Sequence, residues 1–590
     1  MRKKAPSNRQ TLRFKWIQAL FMAAFAIIAI RAVFIHLFPP SQKSLSGIAA
    51  KQYQKDLEIS SYRGTIFDRR GHPLAISVKK ASIFVNPKVF RPTKKQFSKV
   101  KKLLGLKKST LSRLKSKKTY FSWLKRKVSY KTAQKVLQLK IKGLHSITEP
   151  SRFYPYGQVA SHLIGISGLD NKGLMGLEKQ YDKDLRGKVR TVKRARDAKG
   201  RPIFLDSAIA TPEEPGHDLY LTIDLAIQEI ARKALKKGLE DANAKRGFAL
   251  VQDPHTGHIL AMSTLPSYDP NKVASITKEN SRNFPLVDPF EPGSVLKPPL
   301  VAEALDKNLL ELDSLFDCEK SGVYEGKKWR IRDAHPNGVL SVKEVLIKSS
   351  NICTYKISDL IGRESMYAMY QKQGLTAKEQ NIGYPGQRVG YIPKLQNWTD
   401  QRQANIAIGQ GIMTTALEIS SIYGAFANGG KLLKPILVRH LKGAQGEIKE
   451  ENTSKIIRQI FSPKSASQVR EALLAVVEKG TGSKAKMAAY TAAGKTGTTE
   501  KIDPETRAYS DHLRMASFIG YAPALDPHLV IYVMIDEPKN KPYYGGKWAA
   551  PVFREIALEA LKYLNVAPDK ATFKKPRLVK GVLPTERKSM

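Results

Sequence analysis

The amino-acid sequence predicts an α+β multidomain protein: one apolar N-terminal helix, an elongated region mixing strands with basic helices, and a larger domain in which helices flank an antiparallel sheet. Three observations predict it. A chain of 590 residues exceeds what one hydrophobic core accommodates and implies two to four domains. A single long apolar run, "WIQALFMAAFAIIAIRAVFIHLF", fills residues 16–38. From residue 218 the texture changes to a strand, an amphipathic helix and two strands, then a helix-rich centre, then three strands and a closing helix.

The elements follow in order. Residues 1–15 form a basic tail without an acid. The run at 16–38 satisfies the requirement of about 20 apolar residues for a hydrocarbon layer of roughly 30 Å. It is longer than the apolar core of a cleaved signal peptide. Arg31 lies past its centre, where a long side chain reaches the interface. Basic residues ahead of the span predict a cytoplasmic N-terminus and an exported body on a single-pass signal anchor. Two cysteines, Cys318 and Cys353, permit a disulfide outside the cytoplasm but make no framework. The 11 histidines are scattered, with no Cys/His cluster at ligand spacing, so neither a metal nor a cofactor is expected.

Residues 39–217 read as one mixed domain, with "KASIFVNP" and "HSITEPSRFYPYG" as strands ending in turns. Between them, 94–142 holds 18 Lys and Arg and no Asp or Glu, in a chain of net charge +48. Such a lobe suggests nucleic acid. Apolar residues recur through it at helical spacing, however, and an exported lobe meets no nucleic acid. The expectation is a solvated lysine surface, with an anionic envelope polymer as a neighbour. Residues 218–565 form the larger domain, where "DPHTG" supplies a hairpin turn with Gly257 at positive φ and the two ends share one sheet. Residues 566–590 are basic, proline-bearing and expected to be a mobile tail.

Within 218–565, "EPGSVLKPPL" places Ser294 and Lys297 three residues apart, on one face of a helix. The spacing alone decides nothing: six other Ser-x-x-Lys pairs begin at Ser77, Ser98, Ser112, Ser122, Ser275 and Ser483. Two further motifs follow in order. Ser349-Ser350-Asn351 closes "VKEVLIKSSN", and Lys495-Thr496-Gly497-Thr498 lies inside a strand. A lysine among other cations loses pKa and can act as a base. A serine near a helix N-terminus is favoured as an oxyanion develops. Lys495, Thr496 and Thr498 offer charge and hydroxyls to a carboxylate, and Gly497 is expected to let a substrate backbone lie against the strand.

The ordered trio is the signature of penicillin-binding proteins and serine β-lactamases. From about 60 to 560 the chain resembles a class B penicillin-binding protein. "RGTIFDRRGHPLAIS", "SRFYPYGQVASHLIG" and "GLMGLEKQYDKDLRG" resemble that family's pedestal motifs. "DPHTGHILAM", "IGQGIMTTALE", "YGAFANGG" and "PYYGGKWAAPVF" resemble its catalytic domain. Through "RGTIFDRRGHPLAISV" and "VKRARDAKGRPI" it is most similar to the division-specific, septal D,D-transpeptidases of the FtsI type.

The resemblance implies a pedestal (class B dimerisation-type) domain at 39–217 and a penicillin-binding/β-lactamase-like transpeptidase domain at 218–565. It implies Ser294 as the acylated serine, Lys297 as its general base, Ser349 as proton shuttle and Asn351 as holder of the substrate amide. Lys495, Thr496, Gly497 and Thr498 would bind the terminal carboxylate, and backbone N–H groups of Ser294 and Thr498 would form the oxyanion hole. Implied partners are peptidoglycan stem peptides, as D-Ala-D-Ala donor and amine acceptor, β-lactams as covalent inhibitors, and a divisome glycan polymerase with its activators. The implied location is the bacterial inner membrane, with the catalytic domain extracytoplasmic at the septum. Two departures stand out: Pro298-Pro299 where the family has one proline, removing a second backbone donor, and Gln410 in "GQG" where an aromatic is usual. Alternatives are an elongation-type enzyme, a β-lactam-hydrolysing or β-lactam-sensing serine acylase, and a non-catalytic scaffold. A hydrolase needs a deacylating base and gains nothing from a pedestal. No glycosyltransferase domain is evident ahead of the pedestal.

Overall fold

The computed structural model describes residues 8–37, 57–59, 61–106, 121–188, 190–192, 195–196, 202–203, 214–503 and 505–570. The expectations for residues 1–7, for 107–120 in the basic lobe and for the tail beyond 570 lie outside them. The chain divides into two compact units, residues 1–59 with 189–212, and 60–188 with 213–590.

In the first unit, helix α1 (Asn8–Leu37) contains a 20-residue stretch, Lys15–Phe34, of mean hydropathy 2.2 with none of its surface buried in protein. A helix apolar on all sides and uncovered by protein is suited to lipid, so α1 fits a single membrane crossing. A short antiparallel ladder joins Leu57–Ile59 to Arg190–Val192.

The second unit begins with a twisted sheet around one long strand. Strand β1 (Ile66–Phe67) pairs with β2 (Pro73–Val85), which also pairs with β3 (Ser122–Val128) and, over ten residues, with β4 (Leu144–Phe153). Helix α2 (Lys94–Leu104) starts in a capping box between Thr93 and Gln96 and stops at Gly105 in the left-handed region. Helix α3 (Tyr130–Leu137) is capped by Ser129. Their inner faces, Val100, Leu104, Ala133 and Val136, pack on Ile83, Val85 and Leu124. Lys94, Lys95, Lys99, Lys101, Lys102, Lys131 and Lys135 all point to solvent. At the base, buried Arg63 pairs with Glu178 and Asp182, and Arg152 with Glu178 at 2.6 Å. One ion-pair network thereby ties together three stretches recognised in the sequence.

Strand β5 (Asp218–Leu221) pairs in parallel with β1 and antiparallel with Val438–Lys442. It lies in the middle of that sheet, between β1 and Val438–Lys442, and not in the five-stranded sheet described next. Period-two burial marks a strand but does not say which sheet it joins.

The catalytic sheet has the order β7-β6-β10-β9-β8, antiparallel throughout: β6 (Ala244–Gln252), β7 (Ile259–Leu265), β8 (Ala493–Ile502), β9 (Tyr509–Ala522) and β10 (Leu529–Pro538). The two ends of the region therefore share one sheet. Gly257, at φ 75°, sits in the β6–β7 turn. Alternation along the strands divides the core. Phe248, Leu250, Tyr532 and Met534 face α8 (Ala416–Ala427), whose every residue is buried, together with the Ser294 region. Ala249, Val251, Val533 and Ile535 face α4 (Leu225–Ala242) and α9 (Gly545–Tyr563). Helices α5 (Lys297–Asp306), α6 (Val342–Lys348) and α7 (Asn351–Ile361) lie in the centre. Cys318 and Cys353 are joined in a disulfide across 35 residues. The start of the expected mobile tail is pinned: Tyr490 donates to the Val566 carbonyl at 2.8 Å, and Lys570 reaches Glu478 at 2.6 Å.

Candidate active site

Ser294 lies in a 3₁₀ turn, Gly293–Leu296, that runs into α5. Gly293 holds φ 63° and donates its N–H to the Gly409 carbonyl at 3.0 Å. From below, the buried Tyr423 hydroxyl of α8 donates to the Val295 carbonyl at 2.9 Å. The turn is thus fixed on both sides. Pro298 and Pro299 fall in the first turn of α5, where N–H groups have no intrahelical acceptor. The second proline therefore costs the helix no bond. Ser294 itself is half-buried, and among the described residues its hydroxyl has no hydrogen-bond partner.

Lys297 is fully buried. Its Nζ donates to the Ser349 carbonyl at 2.7 Å and to Asn351 Oδ1 at 2.7 Å, with Ser349 Oγ at 3.3 Å. Burial pushes its pKa down to about 7, against the opposing charge of Asp333. A neutral amine has two N–H donors and one lone pair. In the neutral form the two 2.7 Å bonds use both donors, and the lone pair then faces Ser349 Oγ at 3.3 Å.

Ser349 sits in the left-handed region, φ 61° and ψ 39°, as the C-cap of α6, and Ser350 caps α7. This cap-to-cap junction turns Ser349 and Asn351 together towards Lys297. Lys495, also fully buried, crosses from β8 and donates to Ser349 Oγ at 2.8 Å. Burial first, and the charge of Lys297 second, hold the Lys495 pKa well below the ordinary lysine range. Two lysines therefore share one hydroxyl in a dry pocket, where both cannot be charged cheaply.

Strand β8 is the edge of its sheet. Thr498 is half-buried, and its Oγ1 accepts from Gly545 N at 3.1 Å, which leaves its own hydrogen to donate. Thr496 is buried and bonded to Thr481 Oγ1 at 2.9 Å. A Cβ on Gly497 would lie 2.4 Å from Ser517 Oγ, 3.1 Å from Val295 and 3.2 Å from the Pro292 carbonyl. A side chain here would press on Ser517 across the strand pair and on the Pro292–Val295 turn, so glycine lets the turn that carries Ser294 lie close against the strand.

The structure thus brings Ser294, Lys297, Ser349, Asn351 and Lys495–Thr498 to one place. It adds residues the sequence did not reveal. Asp333 accepts from Ser350 Oγ at 2.7 Å, from the N–H groups of Asn351 and Ile352, and from Asn337 Nδ2 at 3.0 Å. It anchors the start of α7 and faces Lys297 electrostatically. Glu291 accepts from Gly411 N at 2.9 Å and Tyr509 Oη at 3.0 Å, joining the "GQG" turn to the β8–β9 hairpin. Among the described residues no group of three or more His, Cys, Asp or Glu could hold a metal.

The family model of the penicillin-binding protein transpeptidase domain matches residues 247–558, and that of the penicillin-binding protein dimerisation domain matches 58–221. The chain is 34% identical to the probable peptidoglycan D,D-transpeptidase PbpC of Pseudomonas aeruginosa, covering 95% of this chain and 97% of that one. It is 30% identical to the peptidoglycan D,D-transpeptidase FtsI of Escherichia coli, covering 97% and 95%. Penicillin binding protein 3 of Mycobacterium tuberculosis, solved with aztreonam, superposes with a TM-score of 0.68 at 26% identity, covering 87% of this chain and 98% of that one. A pedestal, an antiparallel catalytic sheet and these matches over nearly the whole length lead to one conclusion: the chain belongs to the class B penicillin-binding proteins and is a serine-type peptidoglycan D,D-transpeptidase.

Proposed function

We propose that Ser294 is the acylated serine and that neutral Lys297 is its base. The Ser294 proton passes to Lys297 Nζ as Oγ bonds to the penultimate D-alanine carbonyl of a stem peptide. The D-Ala–D-Ala C–N bond then breaks, and the proton returns through Ser349 to the leaving amine of D-alanine. In the second half an acceptor amine attacks the ester, gives up a proton to Lys297, and Ser294 regains its hydrogen. Asn351 holds the substrate amide. Lys495 and the hydroxyls of Thr496 and Thr498 receive the terminal carboxylate, and N–H groups of Ser294 and Thr498 receive the oxyanion. A carboxylate arriving beside Lys495 favours its charged form and so keeps Lys297 neutral.

The observation that carries this reading is the buried Lys297, held by the Ser349 carbonyl, Ser349 Oγ and Asn351 with its pKa near 7, three residues from a serine whose hydroxyl has no partner among the described residues. The test is a peptide map after exposure to a labelled penicillin. The adduct is expected at Ser294; an adduct at Ser77, Ser98, Ser112, Ser122, Ser275 or Ser483 overturns the assignment.

The enzyme is further proposed to act at the division septum on a single-pass anchor, body outside the cytoplasm, beside a glycan polymerase of the division machinery. The likeness over 97% of the chain to FtsI and the apolar α1 support this reading. Replacing residues 1–40 by an unrelated span and following septation tests it. Full rescue with normal placement shows that the anchor carries no partner information.

A further inference from the structure

On the sheet face opposite the nucleophile turn, α4, α9 and the turn Ser483–Ala485 enclose a groove of about 230 Å³. Its floor is apolar: Ala234, Gly238 and Val552. A Cβ on Gly238 would lie 2.3 Å from Val552 Cγ2, so the glycine sets how closely the helices approach. Its rim is cationic. Lys237, Lys484, Lys547 and Arg554 face two carboxylates, Asp241 and Glu555. Lys237 lies 3.8 Å from Glu555, whereas among the described residues Lys484, Lys547 and Arg554 have no carboxylate partner. Trp548 forms one wall. Its indole N–H is fixed on the Pro542 carbonyl at 2.8 Å, and Lys547 Nζ stands 5.0 Å from the ring centroid. Pro551 lies inside α9 and lines the groove beside Trp548.

We infer that this groove is a second, non-catalytic site for the enzyme's own polymer, binding a carboxylate-bearing stretch of peptidoglycan strand. The inference rests on the peptidoglycan activity of the family, not on the roles proposed for Ser294 and Lys297. The unpaired cations suit stem-peptide carboxylates, and the indole and apolar floor suit the faces of sugar rings. The position agrees. Gly545, the first residue of α9, donates to Thr498 at the catalytic strand, and Lys547 to Glu555 follow along the same helix. At 1.5 Å per residue these residues lie roughly 3–15 Å along the helix axis from that end. A lipid surface fits poorly, because the rim offers charge and a single aromatic ring rather than an apolar ridge.

The test uses full-length protein in detergent with the transpeptidase site blocked by a β-lactam. Binding of soluble, un-cross-linked glycan strands with tetrapeptide stems is measured for wild type, Lys484→Glu/Arg554→Glu and Trp548→Ala. The double charge reversal is expected to weaken binding at least about tenfold, corresponding to about 1.4 kcal/mol, with the β-lactam acylation rate unchanged as the control for folding. Strands whose stem carboxylates are amidated are expected to bind as weakly as the variant. Unchanged binding by the charge-reversed protein overturns the inference, as does equal binding of amidated strands. Displacement of strands by glycerol 3-phosphate more readily than by free stem tetrapeptide assigns the groove to phosphate ligands and overturns it too.

Discussion

If Lys297 is the base, acylation must follow its titration. The drop from 10.5 to about 7 disfavours the ammonium form by about 5 kcal/mol and is caused chiefly by burial. The neutral form is active, so the rate rises with pH. With a midpoint near 7, about 9% of the molecules are neutral at pH 6 and about 91% at pH 8, a roughly tenfold increase that then levels off. Asp333 supplies the sharper test. Its charge raises the Lys297 pKa, so removing it must move the midpoint towards acid. Asp333→Asn keeps an oxygen for the N–H groups of Asn351 and Ile352, and its midpoint is expected about 1 pH unit lower. The assay is stopped-flow acylation by a chromogenic cephalosporin from pH 5.5 to 9. A flat profile, a midpoint above 9, or an alkaline move in Asp333→Asn refutes the reasoning.

Three other perturbations separate chemistry from packing. Lys297→Met is expected to abolish acylation with the melting temperature unchanged or raised. Holding this lysine neutral costs about 4 kcal/mol at pH 7.5 relative to the unfolded chain, which offsets the two lost hydrogen bonds; a large loss of stability in a calorimetric scan contradicts this. Ser349→Gly is expected to be about 1 kcal/mol more stable than Ser349→Ala, because the residue sits at φ 61°, while both acylate slowly; equal stability in urea titrations argues against backbone strain. Gly497→Ala is expected to slow acylation strongly by driving Ser517 and the nucleophile turn away from the strand, and Gly497→Ala/Ser517→Gly is expected to recover part of the loss. No recovery in the double variant assigns the glycine to substrate space instead.

The trio was legible because each motif is a short local pattern and the three stand in order. Lys495–Thr498 falls in the expected strand, whereas Ser294 lies in a 3₁₀ turn just ahead of the helix that Lys297 begins. The shared sheet was legible from short apolar runs in Ala244–Gln252 and Leu529–Pro538, both bounded by turn residues. Asp333 was not legible. It meets Ser350 and Asn351 from 17 and 18 residues away, after the small hairpin Val323–Glu325/Arg330–Arg332, and a lone acid in a loop has no periodic signature. The surroundings of Gly497 were hidden for a related cause. The sequence shows that a Cβ is missing, but only the packed turn shows that Ser517 and Pro292 occupy its place. The membership of Asp218–Leu221 in the pedestal sheet and the docking of residues 566–570 depend likewise on partners far away in the chain.

The disulfide bears on how the protein is to be handled. Cys353 is two residues from Asn351, and the loop closed with Cys318 contains Asp333 and the whole Ser349–Asn351 junction. Cytosolic thiol systems keep such pairs reduced. A body produced in the cytoplasm of an expression host therefore carries two thiols where the folded enzyme has a covalent tie. A 35-residue closure is worth about 4 kcal/mol on the loop-entropy estimate. Preparations made inside and outside an oxidising compartment are, in this respect, two different substances, and the missing restraint lies next to Lys297, the group whose titration they are used to measure.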